Sequence, residues 1–298
     1  MTTRLDIRSY GQRMMELLEE VIGKKVKLFE LGGIEFFLNI SVAVIPLFLA
    51  LSGCLNRGMC AYVAGIAASV LLHEVGHALA GRLVGNPAKE ICLIACGGYT
   101  VFSRNPGVTA KDAFLSFAGP LTNGLVCCLL IGIEMCRWGG TFGEWAHLLL
   151  TQVFGSDIPT DDLPFSFVLM NLIAMVNAYM LMFNLLPAFP LDGGRIFRWL
   201  AGCFLSSQKA AFVTMLVART LACLIVGRSL VTDLFVEFEL FDLFIGVLIG
   251  VWIWFGSKTE LWRTKLYCAA EAGSREAMAE IRELFNEEAW PSEADEVA

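Results

Sequence analysis

Charge is what this chain has least of: 17% of its 298 residues are Asp, Glu, Lys or Arg. Soluble domains carry about 25%, and with a mean hydropathy of +0.65 the composition excludes a soluble globular fold. Histidine is scarcer still, with three in the whole chain. A cleavable leader is not evident, because Met1 to Lys27 is polar and charged, without an apolar core before a small-residue cleavage site. No internal repeat and no low-complexity run occurs. Cysteine is not lacking, with ten residues, yet a disulfide framework is not expected. Cys54, Cys60, Cys127, Cys128, Cys136, Cys203 and Cys223 lie in or beside apolar stretches, where cysteine behaves as a small hydrophobe.

What is present is hydrocarbon-compatible sequence. A spanning helix needs about 20 mostly apolar residues. Six stretches qualify: Phe36–Asn56, Met59–Val84, Ala113–Ile133, Leu163–Leu191, residues 209–230 around Arg219, and the short Leu243–Ser257. The fold expected is an all-α polytopic membrane protein of about six transmembrane helices. Lysines and arginines fall before the first stretch, after the second and fourth, and after the last. By the positive-inside rule both termini are then cytoplasmic. Arg57, Arg137 and Arg228 face the other side, with the acidic runs GSDIPTDD and VTDLFVEFELFD. Arg219 is expected to pair internally or snorkel. Three regions follow: 1–35, a cytoplasmic N-terminal region whose residues 10–22 read as an amphipathic helix; 36–257, the membrane core; and 258–298, a short polar helical tail. The connection 137–164 is expected outside, with GEWAHLLLTQVF along the surface.

The second stretch contains HEVGH, residues 73–77. Ionisable groups cost about 2.5–3.5 kcal/mol each at mid-bilayer on insertion scales, so something must compensate them. On a helix, residues i and i+4 share a face. His73 and His77 can therefore direct two imidazoles at one metal ion, with Glu74 beside them as a general base, the HExxH arrangement of zinc hydrolases. A third ligand is needed. His147 falls on the outer connection and reads as interfacial; Cys92 and Cys96 are conceivable but read better as small apolar residues. Asp192 is the better candidate. It follows the breaks at Pro187 and Pro190, precedes Gly193 and Gly194, and lies by the charge rule on the same side as the end of the HEVGH span.

The segment KEICLIACGGYTVF, residues 89–102, is rich in β-branched and aromatic residues around Gly97 and Gly98. It predicts a small hairpin or re-entrant strand, tolerated at membrane depth only where protein or water satisfies its backbone. Its edge could pair with an extended peptide, which makes Gly97 and Gly98 candidate substrate-binding positions.

Three motifs together, HEVGH (His73–His77), AGPLTN (Ala118–Asn123) and NLLPAFPLDGG (Asn184–Gly194), resemble those of the site-2 proteases, the zinc intramembrane metalloproteases. The resemblance covers about residues 25–256 and looks closest to the bacterial six-span branch that includes the sporulation sigma-factor processing protease. It implies one zinc ion held by His73, His77 and Asp192, with Glu74 as base and acid. Asn184 would lie near the reacting carbonyl, holding substrate or oxyanion, and Gly119, Pro120 and Asn123 would form a packing motif. Also implied are a transmembrane or membrane-associated protein substrate cut near the cytoplasmic face, a regulatory membrane partner, and residence in a bacterial cytoplasmic membrane. The chain is expected to meet lipid and protein, not nucleic acid. Many members of that branch carry a nucleotide-binding domain after the last span; about 40 residues are too few for one. Two other readings stand beside this one. One is a HExxH membrane protease with a glutamate third ligand, for which Glu134, Glu237 and Glu239 lie on the outer side. The other is a membrane zinc transporter or scaffold without protease activity, for which Glu74 would be superfluous.

Overall fold

The computed structural model describes residues 24–275, excepting 52, 54–55, 96, 105–107, 154–163, 236–239 and 272. The amphipathic segment 10–22, Cys96 and most of the tail lie outside the described residues, as do Glu237 and Glu239. Among the described residues, four helices are long and apolar enough to cross a membrane: α2 (Arg57–Leu83), α3 (Ala110–Trp138), α5 (Phe165–Asn184) and α7 (Ser207–Phe235, apolar over Ser207–Val231). Between and beyond them lie the shorter α1 (Val44–Leu51), α4 (Phe142–Val153) and α6 (Asp192–Gly202), and finally α8 (Leu240–Glu271). The last of these runs unbroken through residue 258, where the sequence suggested that a separate tail begins.

The first expected span is corrected. Residues 34–39 form a strand, β2 (Ile34–Asn39), and the apolar helical stretch that follows, Ile40–Leu51, is among the described residues shorter than a crossing helix. A short aromatic run suits a buried strand as well as a helix, and here strand pairing decides. β2 lies between β1 (Lys25–Leu31), antiparallel to it, and β3 (Ala88–Ile94), parallel to it. The expected hairpin is present as β3 and β4 (Gly97–Phe102), antiparallel with Cys92 opposite Tyr99. It is therefore half of a four-stranded sheet ordered β1-β2-β3-β4, in which β4 is an edge. The parallel β2–β3 pair needs a long crossover, and α2 lies within that crossover.

The chain divides into two compact units. Among the described residues, the first comprises 24–103 and 121–180, the second 104–120 and 181–275. In the first, the sheet packs on α2 through Ile34, Phe36, Ala78, Ala88 and Ile91. Small residues permit the close approach: a Cβ on Gly81 would come 2.6 Å from the Asn86 carbonyl oxygen. Charges at the outer sheet pair up, Lys25 with Glu90, and Lys27 with Glu35 at 2.5 Å and Glu30 at 3.1 Å. The hydrogen bond to Glu35 is the main reason that the Lys27 ammonium is held above its ordinary pKa.

Helix starts follow local chemistry. The Asn56 side chain accepts from the N–H of Met59 at 2.9 Å to cap α2. Thr141 and Glu144 form a reciprocal capping box on α4: the Thr141 N–H donates to Glu144 at 2.7 Å, and the Glu144 N–H donates back to the Thr141 hydroxyl at 3.3 Å. The first of these bonds holds the Glu144 carboxyl below its usual range. His147, on the same helix, is exposed.

In the second unit, Ala188 and Leu191 pack with Ala218, Ala222 and Ile253 of α7 and α8. Arg219 is accounted for by its guanidinium carbon, which lies 4.5 Å over the Trp254 ring, a cation–π contact. Arg198 pairs with Glu260 at 2.5 Å.

Candidate metal centre

Helix α2 is inside-out by the standards of a soluble protein. Its buried residues are Ser69, His73, Glu74, Gly76, His77, Ala78, Ala80 and Gly81. Leu72, Leu79 and Leu83 on another face are 42%, 57% and 79% exposed. A lipid-facing surface accepts leucine without penalty, so the polar residues turn inward, where protein can satisfy them.

There the two imidazoles meet edge to face, with Nε2 of His73 and Nε2 of His77 3.1 Å apart. Two nitrogens each about 2.0–2.1 Å from one tetrahedral ion would be about 3.3 Å apart. The pair therefore fits a zinc ion, and the burial of both rings, 5% and 6% exposed, gives the dry surroundings such a site needs. His73 turns its other nitrogen, Nδ1, to Oδ1 of Asn123 at 2.6 Å. An oxygen on the nitrogen that faces away from the metal is the usual support of a ligating histidine.

Glu74 is buried at 6% exposure, and β4 holds it. The Thr100 hydroxyl lies 2.7 Å from Oε2 of Glu74 and 3.4 Å from its carbonyl oxygen. A hydroxyl has one proton to give, so the shorter contact with the carboxylate takes it. Two residues earlier on the same strand face, a Cβ on Gly98 would lie 2.9 Å from Cγ and 3.0 Å from Oε1 of Glu74. Gly98 thus forms a wall against the Glu74 side chain. Gly97, with φ at +145°, has a backbone conformation that favours glycine.

Asp192 is the first residue of α6 and is half-buried, and a carboxylate in a helix's first turn suits the dipole. The turn before it is compressed. A Cβ on Gly193 would come 2.4 Å from the Leu185 carbonyl carbon, and one on Gly194 2.6 Å from that of Ala188. Only glycine lets these backbones approach. Asn184 is the last residue of α5. By donor chemistry the two imidazoles of His73 and His77 and the carboxylate of Asp192 are a set of ligand types that zinc accepts. Cys92 is fully buried between strands, and burial raises its thiol pKa, which suits a small core residue.

The sequence profile of peptidase family M50 matches residues 61–227, more than half of the chain. The chain belongs to peptidase family M50. It is 27% identical over 237 residues to the zinc metalloprotease MJ0392 of Methanocaldococcus jannaschii, across 79% of this chain and 60% of that protein. It is 34% identical over 132 residues to the putative zinc metalloprotease Rip3 of Mycobacterium tuberculosis, across 44% of this chain and 28% of that protein. The M50 chain thus spans about three-fifths or less of the length of these relatives. A solved site-2 protease from Methanocaldococcus jannaschii aligns with 80% of this chain and 95% of its own, at TM-score 0.48 and 23% identity.

Reasoning from sequence assigns Asn123 to packing, whereas its side chain touches His73. It passes over Thr100, Asn177 and Ser69. For the last two a signal exists: each is a hydrogen-bonding residue within an otherwise apolar span, and such residues require partners. For Thr100 there is none, since threonine is ordinary in a strand.

Proposed function

We propose that this M50 chain is a zinc-dependent endopeptidase that cuts transmembrane or membrane-associated protein segments. His73, His77 and Asp192 would hold one zinc ion. The single observation that carries the reading is the buried Nε2–Nε2 pair at 3.1 Å with a buried carboxylate on the adjacent residue. A structural metal would not need that carboxylate. When bound, zinc supplies a Lewis acid and a source of hydroxide at neutral pH.

The chain's own residues supply the rest. Glu74 takes a proton from the attacking water and gives it to the leaving amine. Asn184 donates its amide N–H to the oxygen of the scissile carbonyl. A helical substrate hides its carbonyls, so the substrate must be extended. An open edge strand is the natural dock; β4 is an edge among the described residues, beginning at Gly97 and Gly98 and running past Glu74. We place the core in residues 36–257, flanked by 1–35 and the tail 258–298. Cleavage is placed near the cytoplasmic face, in a bacterial cytoplasmic membrane with both termini inside, on the lysine and arginine distribution and the sequence resemblance. Zinc per polypeptide in detergent, measured with cleavage of fluorogenic single-span peptides, tests the proposal. Stoichiometric zinc with Glu74-dependent cleavage is expected, and zinc without any cleavage would leave a binding protein instead.

A further inference from the structure

A chain of hydrogen bonds runs from His73 through three helices of the first unit and ends on backbone. Each amide in it has an ambiguous oxygen and nitrogen until its neighbours decide. The decision starts at two carbonyls, which can only accept. Asn177 Nδ2 lies 2.9 Å from the carbonyl oxygen of Ile173 and 2.9 Å from the Ser69 hydroxyl. The Ser69 hydroxyl lies 2.9 Å from the Gly65 carbonyl oxygen, so its one proton goes there and it accepts from Asn177. Both amide protons of Asn177 are thereby committed, and Oδ1 must face the other way. It lies 2.9 Å from Nδ2 of Asn123, which therefore donates. Oδ1 of Asn123 is then the atom 2.6 Å from Nδ1 of His73. An amide oxygen cannot donate, so the proton on His73 sits at Nδ1, and Nε2 carries the lone pair on the side of His77. Ser69 is 2% exposed, and Asn123 and Asn177 are fully buried, so water does not compete.

We propose that Ser69 and Asn177 are positioning residues, acting through Asn123 to fix the tautomer of His73 and so to hold Nε2 ready for the metal. Their influence reaches His73 from Asn177 of α5 and from Ser69, one turn earlier on α2. The order matters physically, because turning either amide would place a donor where an acceptor is needed and break the line at each following step. The inference rests on the zinc reading of the His73–His77 pair, but not on proteolysis.

The test uses the full chain in detergent, loaded with zinc. Zinc affinity is measured by competition with a chelator of known affinity for wild type, Ser69→Ala, Asn177→Leu and Cys127→Ala. Loss of such outer support typically weakens metal binding about 10- to 100-fold, expected for Asn177→Leu. A smaller loss, about 3- to 10-fold on the same scale, is expected for Ser69→Ala, where Ile173 still orients the amide. Cys127→Ala opens a comparable gap in a neighbouring core cluster without touching the line and is expected to bind as wild type. Should Asn177→Leu fail to fold, the nearly isosteric Ser69→Ala still decides. With three histidines in the chain, 15N-histidine labelling resolves each ring, and His73 is expected protonated at Nδ1. Unchanged affinity in both relay variants, equal loss in Cys127→Ala, or a wild-type His73 protonated at Nε2 would overturn the proposal. Wild type that takes up no zinc would end the zinc reading with it, whereas zinc bound indifferently to the variants ends this one alone.

Discussion

Thr100→Val removes one hydroxyl and keeps the shape and β-branching of the side chain, so it isolates the hydrogen bond to Glu74. That bond is 2.7 Å long, within the range of a hydroxyl on a carboxylate. Hydrogen bonds to charged groups contribute about 1.5–3 kcal/mol. Thr100 is half-buried, and water can replace part of the lost contact, which favours the lower end of that range. The second restraint on Glu74, the wall formed by Gly98, stays in place. A loss of about 1.5–2.5 kcal/mol in transition-state stabilisation follows, or about 10- to 70-fold in kcat. KM and zinc per polypeptide should hold, since the substituted side chain would touch neither ligand nor β4's outer backbone. The assay is single-span peptide cleavage across substrate concentrations, with zinc analysis on the same samples. Thr100→Ser, which restores the hydroxyl, should recover activity to within about threefold of wild type. If Thr100→Val turns over as wild type, or Thr100→Ser fails as badly as valine, the hydroxyl does not hold the base.

Other substitutions probe neighbouring contacts. Glu74→Gln should keep zinc bound and the fold intact while abolishing cleavage; a purified mutant still cutting at near wild-type rate would remove Glu74 from its role. Gly98→Ala places a methyl 2.9 Å from Glu74 Cγ, and because a flexible side chain can yield, Tm should change little while kcat falls by roughly tenfold or more. A large Tm loss would show instead that the contact is a packing constraint. Asp192→Ala should lower zinc occupancy sharply and remove activity, whereas Cys92→Ala should change zinc little; the reverse result would move the third ligand. Glu144, its folded pKa lowered by the Thr141 N–H, stabilises the start of α4 above the ordinary carboxylate range. That support should fade as pH falls through the folded value, seen as lower amide protection (the intrinsic exchange rate at each pH divided by the observed rate) at residues 142–145, and Glu144→Gln should remove the pH dependence of that protection.

The membrane-crossing helices were legible because hydropathy over about 20 residues is a strong and local signal. α2, α3, α5 and α7 fall on four of the six stretches read from sequence. Residues 36–39 were misread for a reason that is equally physical. IEFFLN continues without a charge after Glu35 into an apolar run, and nothing within it announces the partner that makes it a strand. That partner, β3, lies about fifty residues on. The hairpin of β3 and β4 was legible from its own composition, whereas its enlargement into a four-stranded sheet depends on pairing across α2, which no local window contains.

The site divides along the same line. HEVGH is legible because the chemistry needs particular residue types at a helical spacing, and the spacing alone puts two imidazoles on one face. The groups that orient them obey no spacing at all. Asn123 is 50 residues from His73, and Asn177 is 108 from Ser69; what unites them is that each is a polar group in a span with no water to satisfy it. The resulting rule needs nothing beyond the amino-acid sequence. In a span of this kind an amide or hydroxyl must find a partner inside the protein, so each one marks an inward face and a contact. By that rule Ser69, Asn123 and Asn177 form one inward-facing set with His73, although only the folded chain sets the order of donors along it. Thr100 escapes the rule because it lies in a strand, where a threonine attracts no notice until the residue across from it is a buried glutamate.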